Sequence, residues 1–208
     1  MEPARVHLAS ASSRRAEILA SEFEDLAVEL THAPLSAVER EGDSALTVQD
    51  QVFDVLDGKV EAAIDELYDD LADLIAVLVS DTLVESPTDS HIALGQPRDG
   101  DEAREMLSLL SGKTHKVWTG SSILSWQDGS VSVSGSVVSA EVSVKRLSEA
   151  EIDGLVESRS WVGKAGAYDL AGAMGEYASI VEGEESTVLG FTPEVLDILR
   201  SSLGESVK

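Results

Sequence analysis

The run LIAVLVS, Leu74 to Ser80, is a continuous apolar stretch that ends at the carboxylate of Asp81. It is strand-sized, far too short to cross a bilayer, and its lack of alternation is that of a strand covered on both faces. Such a strand needs helices on either side of its sheet, and the neighbouring sequence supplies them. Arg5 to Ala9 reads as a first strand, Arg14 to Glu22 as a helix, and Leu26 to Leu30 as a second strand, followed by a polar loop from Thr31 to Asp43. From Thr47 to about Asp69, apolar residues recur at helical spacing, interrupted only by Gly58, which predicts one long or kinked helix.

After a turn near Ser86 to Ser90, His91 to Leu94 resembles a returning strand, and Asp99 to Leu110 a helix stopped at Gly112. Thr114 to Trp126 and Ser130 to Val144, joined through Gln127-Asp128-Gly129, form a hairpin. Ser148 and Glu151 make a capping box for a helix to Ser158, and Thr192 with Pro193 opens the last helix. The expected class is α/β, a mixed twisted sheet flanked by helices, because hairpins alternate with crossovers.

The chain has 208 residues, 43% of them hydrophobic, which suits a single two-lobed domain over residues 1–208 with a real core. No membrane segment or signal-peptide layout is visible. Cysteine is absent, which removes disulfides and thiolate metal sites and suits a reducing, cytoplasmic setting. Against 39 acidic residues stand 15 basic ones, six lysines and nine arginines, for a formal net charge of −24. A nucleic acid polymer is therefore excluded as a natural partner. Acids spread along the whole chain suit a salt-rich, halophilic cytoplasm, where molar ions screen repulsion within about 3 Å; a merely acidic mesophilic protein has the same composition.

In LASASSRRAEIL, Leu8 to Leu19, a short strand runs into a serine-rich turn and two arginines open a helix. Helix starts leave N–H groups unpaired and carry partial positive charge. The hydroxyls of Ser10, Ser12 and Ser13 and the guanidinium groups of Arg14 and Arg15 add donors, which makes an anion cradle; an ordinary N-cap fits the same residues. Asp81, at the expected strand end, can bind Mg²⁺, act as a base, or cap the turn beside Thr82. Lys59 breaks the apolar stripe of the long helix, and Lys164 sits in Gly163-Lys164-Ala165-Gly166; each reads equally as a surface charge.

Other chemistries fall away. Gly112-Lys113-Thr114 resembles the end of a phosphate loop, but Leu107 stands where that motif needs Gly and the helix precedes it. There is no G-x-S-x-G elbow, and His7, His32, His91 and His115 lack metal-ligand spacing. The acidic run from Asp65 to Asp73 reads as a solvated face.

LASASSRRAEIL, Ser80-Asp81-Thr82, Leu94-Gly95-Gln96-Pro97, Met106 to Gly120, Arg146 to Ile152, and GKAGAYDLAG from Gly163 to Gly172 together resemble the Maf family of nucleoside triphosphate pyrophosphatases. The likeness covers nearly the whole chain in the family's order. It implies two lobes around a central cleft, as in inosine triphosphate pyrophosphatase-like folds. It also implies hydrolysis of a nucleoside triphosphate to monophosphate and pyrophosphate with Mg²⁺ or Mn²⁺, and it admits a homodimer. Ser10, Arg14 and Arg15 fall on the phosphate-binding turn, Asp81 on the proton acceptor, and Lys59 and Lys164 on substrate-binding lysines. Glu39 falls on a metal-site glutamate that would share the ion with Asp81. Gln96 occupies a substrate-binding position where the family usually has Lys, Ala171 one where many members have Gln, and Glu184-Glu185 replaces a small-plus-aromatic pair. The GKAGAY loop leans toward pyrimidine-type members. Loss of the Gln96 cation leaves a second reading: a nucleotide-binding regulatory module with little turnover, linked to cell-division arrest. A hydrolase that releases orthophosphate is a third.

Overall fold

A computed structural model describes residues 3–38, 40 and 42–206, the last two without side chains. Glu39 lies outside these described residues. The chain forms one seven-stranded mixed sheet. Strand β1 (Ala4–Ala9) pairs in parallel with β2 (Val28–Ala33) on one side and β3 (Ala76–Ser86) on the other. Beyond β3 the pairing turns antiparallel, through β5 (Thr114–Gln127) and β6 (Ser130–Val144) to a short β7 (Ala178–Glu182). Strand β4 (Asp89–Leu94) folds back on β3. The β5–β6 ribbon turns at Asp128 and Gly129, both at positive φ, as a tight hairpin turn requires.

Helix α1 (Ser13–Glu22) starts at Ser12, whose hydroxyl accepts the Arg15 N–H. Helix α2 (Val48–Leu67) is continuous through Gly58, the single long helix of the two alternatives read from the sequence. Helices α3 (Gly100–Leu110) and α4 (Glu149–Glu157) pack together, and α4 carries the expected Ser148–Glu151 capping box. A short α5 (Glu185–Leu189) precedes α6 (Pro193–Ser206). Proline opens α6 as expected, but the Thr192 hydroxyl does not cap it. That hydroxyl is buried without a partner among the described residues, while the Thr192 N–H donates to Ser121 Oγ.

Side-chain alternation in β3 explains the layers. Ala76 and Leu78 join Val6, Leu8, Leu19 and Phe191 beneath α1 and α6, whereas Val77 and Val79 join Leu56 and Ala63 beneath α2. The strand is therefore buried on both faces, as its unbroken apolar run requires. A third cluster gathers Leu107, Leu110, Ile152, Tyr168 and Met174 around α3, α4 and the far end of β5 and β6. One sequence expectation is corrected here. Asp81 does not end β3; it lies mid-strand opposite Gly120 of β5, and β3 continues to Ser86 because β4 and β5 both pair with its second half. Strand β2 is displaced as well, starting at Val28 instead of Leu26, where its pairing with β1 begins.

Candidate functional site

Period-two alternation puts Asp81 on the same face as Val77 and Val79, toward α2. Lys59 projects from that helix and its ammonium lies 2.8 Å from Asp81 Oδ1 and 3.3 Å from the Ser80 carbonyl. Close approach of α2 depends on Gly120: a Cβ there would fall 2.9 Å from Leu56 Cδ2 and 3.0 Å from Val52 Cγ1. The second carboxylate oxygen, Asp81 Oδ2, is buried and has no hydrogen-bond partner among the described residues. A buried carboxylate oxygen without a donor is costly, so this atom is set for a ligand, a proton or a cation.

Arg15 reaches β3 from the opposite side. Its guanidinium donates to the Ser80 carbonyl at 3.0 Å and to Thr82 Oγ1 at 2.9 Å, bracketing Asp81 along the chain. Gly190, at φ +105°, leaves room for it, since a Cβ there would meet Arg15 Nε at 2.7 Å. The serine turn combines both sequence readings. Ser12 Oγ caps α1 and Ser10 Oγ accepts the Ser12 N–H, yet each hydroxyl keeps its own hydrogen for a ligand.

Ser10, Arg14, Arg15, Lys59, Asp81, Gln96 and Lys164 all line one cleft of about 1230 Å³. These sequence-identified residues are thus brought together from the turn after β1, from α1, α2 and β3, and from two further loops; Glu39 is outside the described residues. Gln96 is exposed at the rim. The loop that leads from β2 toward Glu39 is tied down by Glu66, whose carboxylate accepts the N–H groups of Ser36 and Ala37 at 2.7 and 2.8 Å. Those bonds hold the Glu66 carboxyl below its usual range. Glu66 thus has a role in the fold that the acidic run did not reveal. Arg40 extends the same loop onto α2 through ion pairs with Asp54, Asp57 and Glu61.

Two further residues escaped the sequence reading. Asp169 pairs with both Arg14 and Lys164. Tyr168 lines the cleft and is hydrogen-bonded at 2.8 Å to the buried His115. Burial lowers the His115 imidazole to about 4 and raises the Tyr168 phenol. The contacts of Asp169 with Arg14 and of Tyr168 with His115 have no local signal, because those partners lie far apart in the chain; Lys164 is only five residues before Asp169, and nothing in the helical or strand patterning marks that pair.

Among the described residues no three His, Asp or Glu side chains converge as a self-sufficient metal cage. The donor set still fits Mg²⁺ or Mn²⁺, because Mg²⁺ is commonly held by one or two carboxylates together with substrate phosphates, and Asp81 Oδ2 is open for that use.

A mixed α/β sheet whose cleft collects arginine and lysine side chains around one buried carboxylate defines a phosphate-handling α/β protein. Residues 5–202 match the family described as Maf-like protein, and the chain belongs to that family. A dTTP/UTP pyrophosphatase of Bacillus cereus (strain G9842) is 33% identical over 186 residues, 89% of this chain and 88% of its own. A dTTP/UTP pyrophosphatase of Pyrococcus furiosus is 30% identical over 204 residues, covering 98% and 97% of the two chains. In structure, a HAM1 protein from Coxiella burnetii shares the fold with a TM-score of 0.50 at 14% identity, covering 95% of this chain and 99% of that one. No helix among the described residues is long and apolar enough to cross a membrane.

Proposed function

We propose that this protein is a divalent-metal-dependent nucleoside triphosphate pyrophosphatase acting on pyrimidine substrates such as dTTP and UTP. Asp81 carries the proposal: one oxygen is held by Lys59 at 2.8 Å and the other is buried without a donor, in a cleft lined by Arg14, Arg15 and Lys164. The relatives named dTTP/UTP pyrophosphatase support the nucleotide class. Asp81 Oδ2 orients a water and takes its proton as the water oxygen attacks the α-phosphorus. The bond from the α-phosphorus to the bridging oxygen breaks, and its electron pair leaves with pyrophosphate. Arg14, Lys164 and the Ser10 hydroxyl hold the leaving oxygens, while Lys59 and Arg15 keep Asp81 and its strand in place. A bound Mg²⁺ or Mn²⁺ on Asp81, with Glu39 as a second ligand, would neutralise the charge developing on the transferring phosphoryl group.

Among the described residues, five of the fifteen basic ones (Arg14, Arg15, Arg40, Lys59 and Lys164) line the cleft against three acidic ones, a locally positive lining that answers the electrostatic problem set by a net charge of −24. The test is product analysis with a panel of canonical and modified triphosphates, in Mg²⁺ or Mn²⁺ and molar KCl. Pyrophosphate and nucleoside monophosphate in equal amounts, fastest with dTTP, dUTP or UTP, are expected. Orthophosphate as the product contradicts the reading, and nucleotide binding without release of pyrophosphate points instead to a regulatory module.

A further inference from the structure

Arg14 and Lys164 come from opposite walls of the cleft. Arg14 stands in the first turn of α1, which packs on the cluster around Leu8, Leu19 and Phe191. Lys164 follows Gly163 on the loop that packs, through Ala167 and Tyr168, on the cluster around α3 and α4. Asp169 joins them through charge: its buried Oδ1 is in ion-pair contact with the Arg14 guanidinium without an aligned hydrogen bond, and its Oδ2 lies 3.5 Å from the Lys164 ammonium. All three side chains are mostly shielded, at 26%, 25% and 19% exposure for Arg14, Lys164 and Asp169. Solvent screening of the triad is correspondingly weaker than on an open surface.

The backbone that carries the carboxylate is also held. The Asp169 carbonyl accepts the N–H groups of Gly172 at 3.1 Å and Met174 at 3.2 Å, and Met174 is fully buried. Gly172 has no Cβ where one would press to 3.0 Å from Asp169 Cγ. Asp169 therefore sits on a turn whose backbone is held in place, with its carboxylate between the two cations. Its partners keep donors in reserve, since a guanidinium has five N–H groups and an ammonium three. Without the carboxylate, two like charges would repel across the cleft and the long Lys164 stem would relax toward water.

Resting on the phosphate-binding role proposed above for this cleft, we infer that Asp169 is a positioning residue for polyphosphate: it clasps Arg14 to Lys164 across the cleft, so that both grip one triphosphate tail. Asp169 acts on ligand capture, whereas Asp81 and Lys59 on β3 and α2 set the chemical step. The clasp has a distinct kinetic signature.

The test compares wild type with Asp169→Asn and Asp169→Glu, reading kcat and KM for dUTP and, by calorimetry, the Kd of inorganic tripolyphosphate, which reports the cations without any base or sugar. Asp169→Asn is expected to raise KM and the tripolyphosphate Kd about tenfold while kcat changes less than threefold, and Asp169→Glu to give intermediate values. If the Asn variant does not fold, the Glu variant decides alone, with an expected two- to fivefold rise at an unchanged melting temperature. A Kd that is unchanged or lower in the variants overturns the inference, because the carboxylate would then be a bystander or a competitor of the ligand. A fall in kcat and melting temperature with KM preserved overturns it as well. Should wild type release no pyrophosphate from any nucleotide, the proposed activity fails by itself, while the ratio of tripolyphosphate Kd values still decides the clasp.

Discussion

His115 and Tyr168 show how a polar pair can be buried near a reaction cleft without titrating in it. The His115 ring is 3% exposed, its Nε2 lies 2.8 Å from the Tyr168 hydroxyl, and its Nδ1 has no partner among the described residues. A neutral ring accepting the phenol hydrogen suits this arrangement, and burial holds the imidazole down at about 4, against 6.5 in water. The unfolded chain takes up the proton first as pH falls, so the histidine contributes no penalty above pH 6.5. Between pH 6.5 and 4 it destabilises the fold progressively, by about 3 kcal/mol at the lower end. Replacing both residues by Phe should flatten the pH dependence of the urea midpoint in that window relative to wild type; an identical slope would show that His115 is already ionised in the fold. Asp169 and Glu66 belong to the same scale. The Arg14 partner of Asp169 and the Ser36 partner of Glu66 are 155 and 30 residues away in sequence, so no local pattern announces those contacts, although Lys164 stands only five residues before Asp169. Ser10, Arg14 and Lys59 carry local signals, a turn before a helix start and a cation inside an apolar stripe, but each signal reads equally as a cap or a surface charge, and the resemblance to the Maf family is what singles them out.

At the level of elements, the sheet's meeting with α2 decides where the chemistry sits. The continuous apolar run marked β3 as doubly covered, and the alternation of its side chains carries Asp81 onto the α2 face. The second half of β3 was not legible, since Thr82 to Ser86 alternates weakly and is held by pairing with β4 and β5, distant in sequence. Strand β7 and helix α5 are only five residues each, too short for a periodic signal. Gly120 sets the spacing between α2 and the strand beside Asp81. Gly120→Ala puts a methyl group into Leu56 and Val52, with an expected loss of about 1–3 kcal/mol from overpacking. The displaced helix should also loosen the 2.8 Å pair of Lys59 with Asp81 and reduce turnover. Urea denaturation and a pyrophosphate assay check both effects, and a variant with wild-type stability and rate would contradict this placement of α2.

For the molecule as a whole, electrostatics pulls in two directions. A net charge of −24 repels itself and any triphosphate, while Arg14, Arg15, Lys59 and Lys164 face one cleft. Screening at molar ionic strength contracts the range of repulsion to about 3 Å, so compact folding gains more than the short, shielded ion pairs of the cleft lose. The melting temperature should rise by several degrees between 0.1 and 2 M KCl; a flat or falling curve would mean that surface repulsion does not limit this fold. Class and sheet type were legible because both follow from periodicity and hairpin spacing. The cleft's charge balance was not, because it depends on which acids face inward.

The direct test of the account is release of pyrophosphate by wild type and Asp81→Asn at saturating dUTP, with nucleotide binding measured alongside. If Asp81 takes the proton of the attacking water, the Asn variant retains binding within a few-fold and loses about 10²–10⁴ in rate. A variant that releases pyrophosphate at close to the wild-type rate would show that the bond is cut without this carboxylate.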